Sequence, residues 1–358
     1  MRLGHRHLRL PLLQGGMGIG VSLSKLAGAV AREGAMGVIS AINPGYREAD
    51  FESDNLAANR RALAKEIHEA RKIADGEGLI GVNIMCAISQ YKEMVETAAK
   101  AGADALICGA GLPLNLPELV PSREILLAPI VSSARAARLI AETWWRRYER
   151  YPDFLVLEGP LAGGHLGFKW PELEATAKTL KDLLRELVAW RDTFREENQH
   201  ELPIFAAGGI RSAEERRELM DLGADGIQLG TPFIATEECD APAAMKEALI
   251  AASDEDIRLI QSPVGLPGRA LFSPLLKKLE EVPRIPPRHC VKCLKTCDPK
   301  TTKYCINEAL QAAIRGDREN GLFFSGAKIG GIRRLTSVRE RIREFFPEYY
   351  GDTDDERE

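Results

Sequence analysis

The sequence predicts an α/β protein built on a TIM (β/α)8 barrel, with a smaller C-terminal cap and a cysteine-rich tail. Three observations predict it. Eight short apolar runs alternate with amphipathic stretches over the first two thirds of the chain. The runs are continuous rather than alternating, which is the pattern of parallel strands buried on both faces. No Gly-x-Gly-x-x-Gly follows the first run with an acidic residue about 20 positions later, which argues against a doubly wound open sheet.

The first run covers residues 10–14, and Ser24 then opens a helix reaching about 33. Strands are expected at 37–40, 79–85, 105–108, 125–131, 154–158, 203–207 and 226–229. Helices are expected at 55–75, 90–101, 133–147 and, as one long region, 171–198, with another opened by Ser212. From about 237 the pattern changes to a helix over 241–252, a Pro/Gly-rich loop over 262–269, a Pro-rich linker over 282–288 and a helix over 306–315. Residues 352–358 are almost all charged and read as frayed. The expected division is a barrel over 1–236, a helical cap and loop over 237–282, and a cysteine-cluster extension over 283–358.

Composition bounds the function. With 45 % hydrophobic and 28 % charged residues among 358, the chain is globular. Its 48 basic and 52 acidic residues give a net charge of −4, so no global basic surface is available for nucleic acid. No stretch approaches ~18 uninterrupted apolar residues, so no membrane span is expected. The N-terminal apolar run is too short for a signal sequence. Seven cysteines, an odd number with one tight cluster, point to a reducing cytoplasm.

Glycine-rich segments fall where barrel strands should end, the face that carries active sites in this fold. Glycine there lets backbone N–H groups approach a flat ring or a phosphate. Gly208, Gly209, Gly230 and Thr231, after the last two strands, are the candidate phosphate site. His165 follows two glycines and is the one histidine placed to act as acid/base. Asn83, a polar residue in an apolar strand, is placed to hydrogen-bond a cofactor ring. Glu158 ends another apolar strand, where a carboxylate is costly without a partner, and is placed to hold a cofactor hydroxyl or a neighbouring loop.

Cys290-x2-Cys293-x3-Cys297-x7-Cys305 gathers four thiols in sixteen residues. The spacing resembles iron–sulfur ligation more than the two separated hooks of a zinc site, so a [4Fe–4S] cluster is expected ahead of zinc. Cys86, Cys108 and Cys239 read as ordinary barrel residues.

Six segments together resemble the nitronate monooxygenase family, formerly 2-nitropropane dioxygenase, which includes the flavin-dependent enoyl-ACP reductase II enzymes. They are Pro11-x-x-Gln14-Gly15-Gly16-Met17, Gly81-Val-Asn83-Ile-Met85, Gly109-Ala-Gly-x-Pro113, Glu158-Gly-x-x-Ala-Gly163-Gly164-His165, Ala206-Ala-Gly208-Gly209-Ile210 and Gly223-Ala-Asp-Gly-Ile-Gln228-Leu-Gly230-Thr231. The resemblance covers about residues 8–270. It implies an FMN-binding barrel in which Gln14, Gly15, Gly16, Met17 and Asn83 line the flavin. Glu158 belongs to the same cofactor set. Gly163, Gly164, Gly208, Gly209, Gln228, Gly230 and Thr231 would surround its ribityl phosphate end, and His165 matches the catalytic histidine. Gln-Gly-Gly-Met is closer to the enoyl reductases, Glu158 replaces a common Gln, and Leu161 replaces a common Glu.

The resemblance implies oxidation of nitronates or nitroalkanes, with His165 taking or positioning the α-proton. The alternatives are NAD(P)H-dependent reduction of an enoyl thioester and a non-catalytic flavin-binding protein. The expected partner is a small molecule, nitronate or enoyl thioester. The assembly is open, a homodimer being one option.

Overall fold

The computed structural model describes residues 1–173 and 178–351. Eight strands close into one barrel: β1 (Leu12–Gln14), β2 (Met36–Ser40), β3 (Leu79–Met85), β4 (Ala105–Gly109), β5 (Leu126–Val131), β6 (Leu155–Glu158), β7 (Ile204–Ala207) and β8 (Gly226–Leu229). They follow one another around the barrel in chain order, and every neighbouring pair is parallel, β8 meeting β1 with Gln228 beside Leu13.

The continuous apolar runs have the expected cause. Leu13, Val38, Ile107, Ala128, Val156 and Phe205 fill the barrel interior, whereas Leu12, Ile39, Val82, Leu106, Leu157 and Ile227 pack outward under the helices. Phe154 and Phe205 meet edge to face inside the barrel, with centroids 5.5 Å apart. A short hairpin, Arg2–Leu3 with Arg6–His7, places Leu3 in that interior cluster.

Most helices start where the sequence places them. Ser133 accepts from the Ala136 N–H at 3.2 Å and Ser212 from the Glu215 N–H at 3.2 Å, both as N-caps. Ser24 does not cap its helix, Ser24–Arg32. The orphan N–H groups of Leu23 and Leu26 are taken by Asp240 at 2.8 and 3.2 Å, a cap supplied from more than 200 residues away. The region expected as one helix over 171–198 is divided. A 3₁₀ turn, Trp170–Leu173, precedes a separate helix, Leu180–Asn198, opened by a capping box of Thr179 and Asp182. Residues 174–177 of that expectation, and the frayed end expected over 352–358, lie outside the described residues.

The segment read as a loop over 262–269 is the turn and second strand of a hairpin. Ile257–Gln261 pairs antiparallel with Pro267–Leu271, which pairs in turn with Gly164–His165. The C-terminal extension crosses back over the barrel and is held by three isolated bridges: Leu294 with Ile88, Phe324 with Ala270, and Thr336 with Thr236. Among the described residues no helix is long and apolar enough to cross a membrane.

Candidate active site

One large cavity opens at the C-terminal ends of the strands. Gly15, Gly16 and Met17 line it after β1, Asn83 and Met85 at the end of β3, and Glu158 at the end of β6. Gly163, Gly164 and His165 follow, with Gly208 and Gly209 after β7, and Gln228, Gly230 and Thr231 at and after β8. Of the residues expected around a cofactor, Gln14 alone does not line it. Its side chain is fully buried and turned to the backbone, accepting from Val38 N–H at 3.0 Å and donating to the Gly15 carbonyl. A buried amide in a tight barrel satisfies itself on the nearest strands, so Gln14 is part of the scaffold.

The glycines are required by close approach. A Cβ at Gly16 would lie 2.3 Å from the Asn83 Cβ. Gly209 has φ of +83°, and a Cβ there would lie 2.8 Å from that of Leu161. The strand-end backbone therefore stays bare at the cavity floor, beside the amide side chains of Asn83 and Gln228. Asn83 donates to the Ile107 carbonyl at 3.3 Å, which fixes its orientation across two strands.

His165 sits on the short strand Gly164–His165, held by the hairpin. Its Nε2 shares a 2.8 Å hydrogen bond with Ser262 Oγ, and its ring meets Phe324 edge to face at 4.9 Å. Burial pushes its pKa down to about 4, so the imidazole is neutral at physiological pH. Glu158 is pushed the other way, up to about 8. Burial is the main cause, and the Arg269 guanidinium only partly offsets it. Arg269, itself buried, donates to the carbonyls of Pro160 and Ala162 at 2.6 Å each, so the hairpin pins the loop that carries His165.

Several lining residues come from beyond the barrel and escaped the sequence reading. Ser325, Gly326 and Lys328 reach the end of the cavity bordered by Gly208, Gly209 and Thr231. Gly326 N–H donates to Thr231 Oγ1 at 2.9 Å, and Lys328 Nζ lies 3.8 Å from Asp254. Asn43, Asn59, Gln90 and Asn307 form a chain of amides on the opposite wall. Asn43 donates to Asn307 at 2.7 Å, and Asn59 donates to Asn43 at 3.2 Å and to Gln90 at 2.9 Å. The only local signal for these was Asn59, a polar residue on the apolar face of an alanine-rich helix.

The donor set fits FMN: a glycine floor flanked by two amides for a flat polar ring, and backbone amides, a hydroxyl and a lysine for a phosphate. The four clustered cysteines lie next to this cavity. They are free thiols lining one small pocket, and Cys293 and Leu294 border both pockets. The closed ligand set expected from their spacing is not formed. Among the described residues no three His, Cys, Asp or Glu side chains stand together at a spacing that would hold an ion.

A family model described as nitronate monooxygenase matches residues 3–348. A probable nitronate monooxygenase of Staphylococcus saprophyticus is 24 % identical over 344 residues, covering 88 % of this chain and 86 % of that protein. The (3aS,4S,5R,7aS)-5-hydroxy-7a-methyl-1-oxo-octahydro-1H-indene-4-carboxyl-CoA dehydrogenase of Mycobacterium tuberculosis is 25 % identical over 270 residues, 75 % of this chain and 65 % of its own length. Another mycobacterial relative is matched over 56 % of its length. Among solved structures, FabK from Thermotoga maritima superposes with a TM-score of 0.73 at 24 % identity, covering 96 % of this chain and 93 % of that one. A nitroalkane oxidase from Streptomyces ansochromogenes gives 0.71 at 20 % identity, covering 95 % and 96 %. At these identities the two structures speak for the fold.

Proposed function

Because the chain belongs to the nitronate monooxygenase family, a group of FMN-dependent oxidoreductases, we propose that it oxidises nitronates or nitroalkanes, with His165 handling the proton. The observation that carries this reading is a neutral imidazole, fixed by Ser262 and Phe324, in the wall of a glycine-floored cavity.

FMN, when bound, supplies the redox chemistry, and the protein supplies orientation and proton handling. Gly15, Gly16, Met17, Asn83 and Gln228 would border its ring. Gly163, Gly164, Gly208, Gly209, Gly230, Thr231 and Lys328 would hold its phosphate end. Glu158, uncharged at neutral pH, can donate a hydrogen bond to a polar edge of the cofactor.

His165 has two tautomers with two uses. With Nε2–H donated to Ser262, Nδ1 is a free base able to take the α-proton of a nitroalkane. With the Ser262 hydroxyl donating to Nε2, Nδ1–H is a donor for the oxygen of a nitronate. Phe324 and the hairpin keep the ring from turning away, so neither role waits on reorganisation.

Reduction of an enoyl thioester by NAD(P)H is the second reading, and a specific observation favours it. One side of the cavity is apolar, with Ile88, Leu294, Ile306, Leu310, Ile314 and Leu322, a lining suited to an acyl chain.

Oxygen consumption with matched nitroalkane and nitronate pairs tests the proposal. Nitronate-dependent uptake is expected. His165→Ala should lower kcat/KM for the neutral nitroalkane about 10²–10⁴-fold while FMN stays bound, and should spare the already deprotonated nitronate. No uptake with either substrate, alongside NAD(P)H-dependent reduction of an enoyl thioester, would replace this reading with the second.

A further inference from the structure

We propose that Cys290, Cys293, Cys297 and Cys305 form a four-thiolate centre for a thiophilic metal, set in the wall of the active-site cavity. All four line the same small pocket, together with Pro287, Val291, Leu294, Ile306 and others. Cysteine has a single side-chain torsion with three staggered wells. Turning the sulfurs inward to meet at one point therefore asks for rotamer changes at residues already gathered there.

The backbone around the pocket is fixed from outside. Ser89 N–H donates to the Cys293 carbonyl at 3.0 Å, Lys295 N–H to Ala87 at 3.0 Å, and Lys295 Nζ to the Cys86 carbonyl at 2.7 Å. Asn55 donates to the Val291 carbonyl at 3.0 Å and accepts from Gln90, tying the segment to the amide chain of the cavity wall. Cys305 is the N-cap residue of the helix Ile306–Ile314.

Two sources share this chemistry, Zn²⁺ and an iron–sulfur cluster. With Zn²⁺, four thiols release four protons, four S–Zn bonds form and no electron moves. A preassembled [4Fe–4S] cluster is held by the same four thiolates.

The test is metal and acid-labile sulfide analysis, with a visible spectrum, on the FMN-loaded full chain purified without oxygen from iron- and zinc-supplemented cells. About four iron with four sulfide per chain supports the proposal and assigns a cluster. About one zinc supports it and assigns a structural ion. Cys290→Ser and Cys297→Ser should lose the metal while FMN content reports that the barrel is intact, and Cys86→Ser should keep it. Sub-stoichiometric metal in the parent chain, with all four thiols modified by a thiol reagent in the folded flavoprotein, overturns the proposal. So does metal that survives both serine variants.

Discussion

At His165 solvation and protonation are in direct competition. Water stabilises imidazolium, and the cavity wall replaces water with Phe324, a hydroxyl and backbone, so the charged form is lost first. An ordinary histidine is half protonated near pH 6.5. His165 has a pKa of about 4, so kcat/KM for nitroalkanes should not fall between pH 7 and 5.5. A limb centred near 6.5 that disappears in His165→Ala would contradict that. Ser262 sets which ring nitrogen is free. Ser262→Ala should flatten the difference between nitroalkane and nitronate turnover without releasing FMN, a substrate split that a merely structural role would not produce. The sequence could single out His165 by its glycines. It could not show Ser262, which lies 97 residues on and becomes a partner only when the hairpin pairs with Gly164–His165.

At the scale of elements, the strands were legible because each is a local apolar run that needs no partner to be recognised. What the sequence hid depends on distant pairing. Asp240 caps the helix Ser24–Arg32 from across the fold. Asp240→Ala should cost about 1–2 kcal/mol in urea unfolding, whereas Ser24→Ala should cost little. Equal effects would mean that the local serine is the cap after all. The hairpin Ile257–Gln261 with Pro267–Leu271 was masked by the prolines and glycines of its turn, and it matters most for function. Through Arg269 it holds the Pro160 and Ala162 carbonyls, and through Gly268 it sets the register of His165. The helix Val338–Phe345 carried a readable signal, the capping box of Ser337 and Glu340. The cysteine spacing was equally visible. The rotamers that decide whether four thiols meet at a point are not encoded in spacing.

For the whole molecule, Glu158 and His165 give stability a defined dependence on pH. Glu158 has a folded pKa of about 8 against about 4.5 for a free glutamate. Its contribution is full below about 4.5 and is lost as pH rises to 8. His165 has a folded pKa of about 4 against 6.5. Its contribution is full above 6.5 and is lost as pH falls to 4. Between about 4.5 and 6.5 the two slopes oppose each other, and between 6.5 and 8 Glu158 alone of the two acts. The flavin-free protein should therefore lose melting temperature from pH 6.5 to 8, and Glu158→Gln should remove that slope. The same slope in the variant would place its origin elsewhere. The cavity was legible as glycines at strand ends. Its lysine, its arginine clamp and its amide wall were not, because residues from 43 to 328 meet there only when the barrel closes and the extension folds back.

The proposed chemistry needs the cavity to be a flavin site that takes electrons from a nitronate. The most direct measurement is anaerobic stopped-flow absorbance of the FMN-loaded protein mixed with an alkyl nitronate, and separately with NAD(P)H. Bleaching of the oxidised flavin band by the nitronate, saturable in nitronate and faster than with NAD(P)H, is the predicted result. A flavin that stays oxidised with nitronate but is reduced by NAD(P)H, and reoxidised by an enoyl thioester, would contradict it.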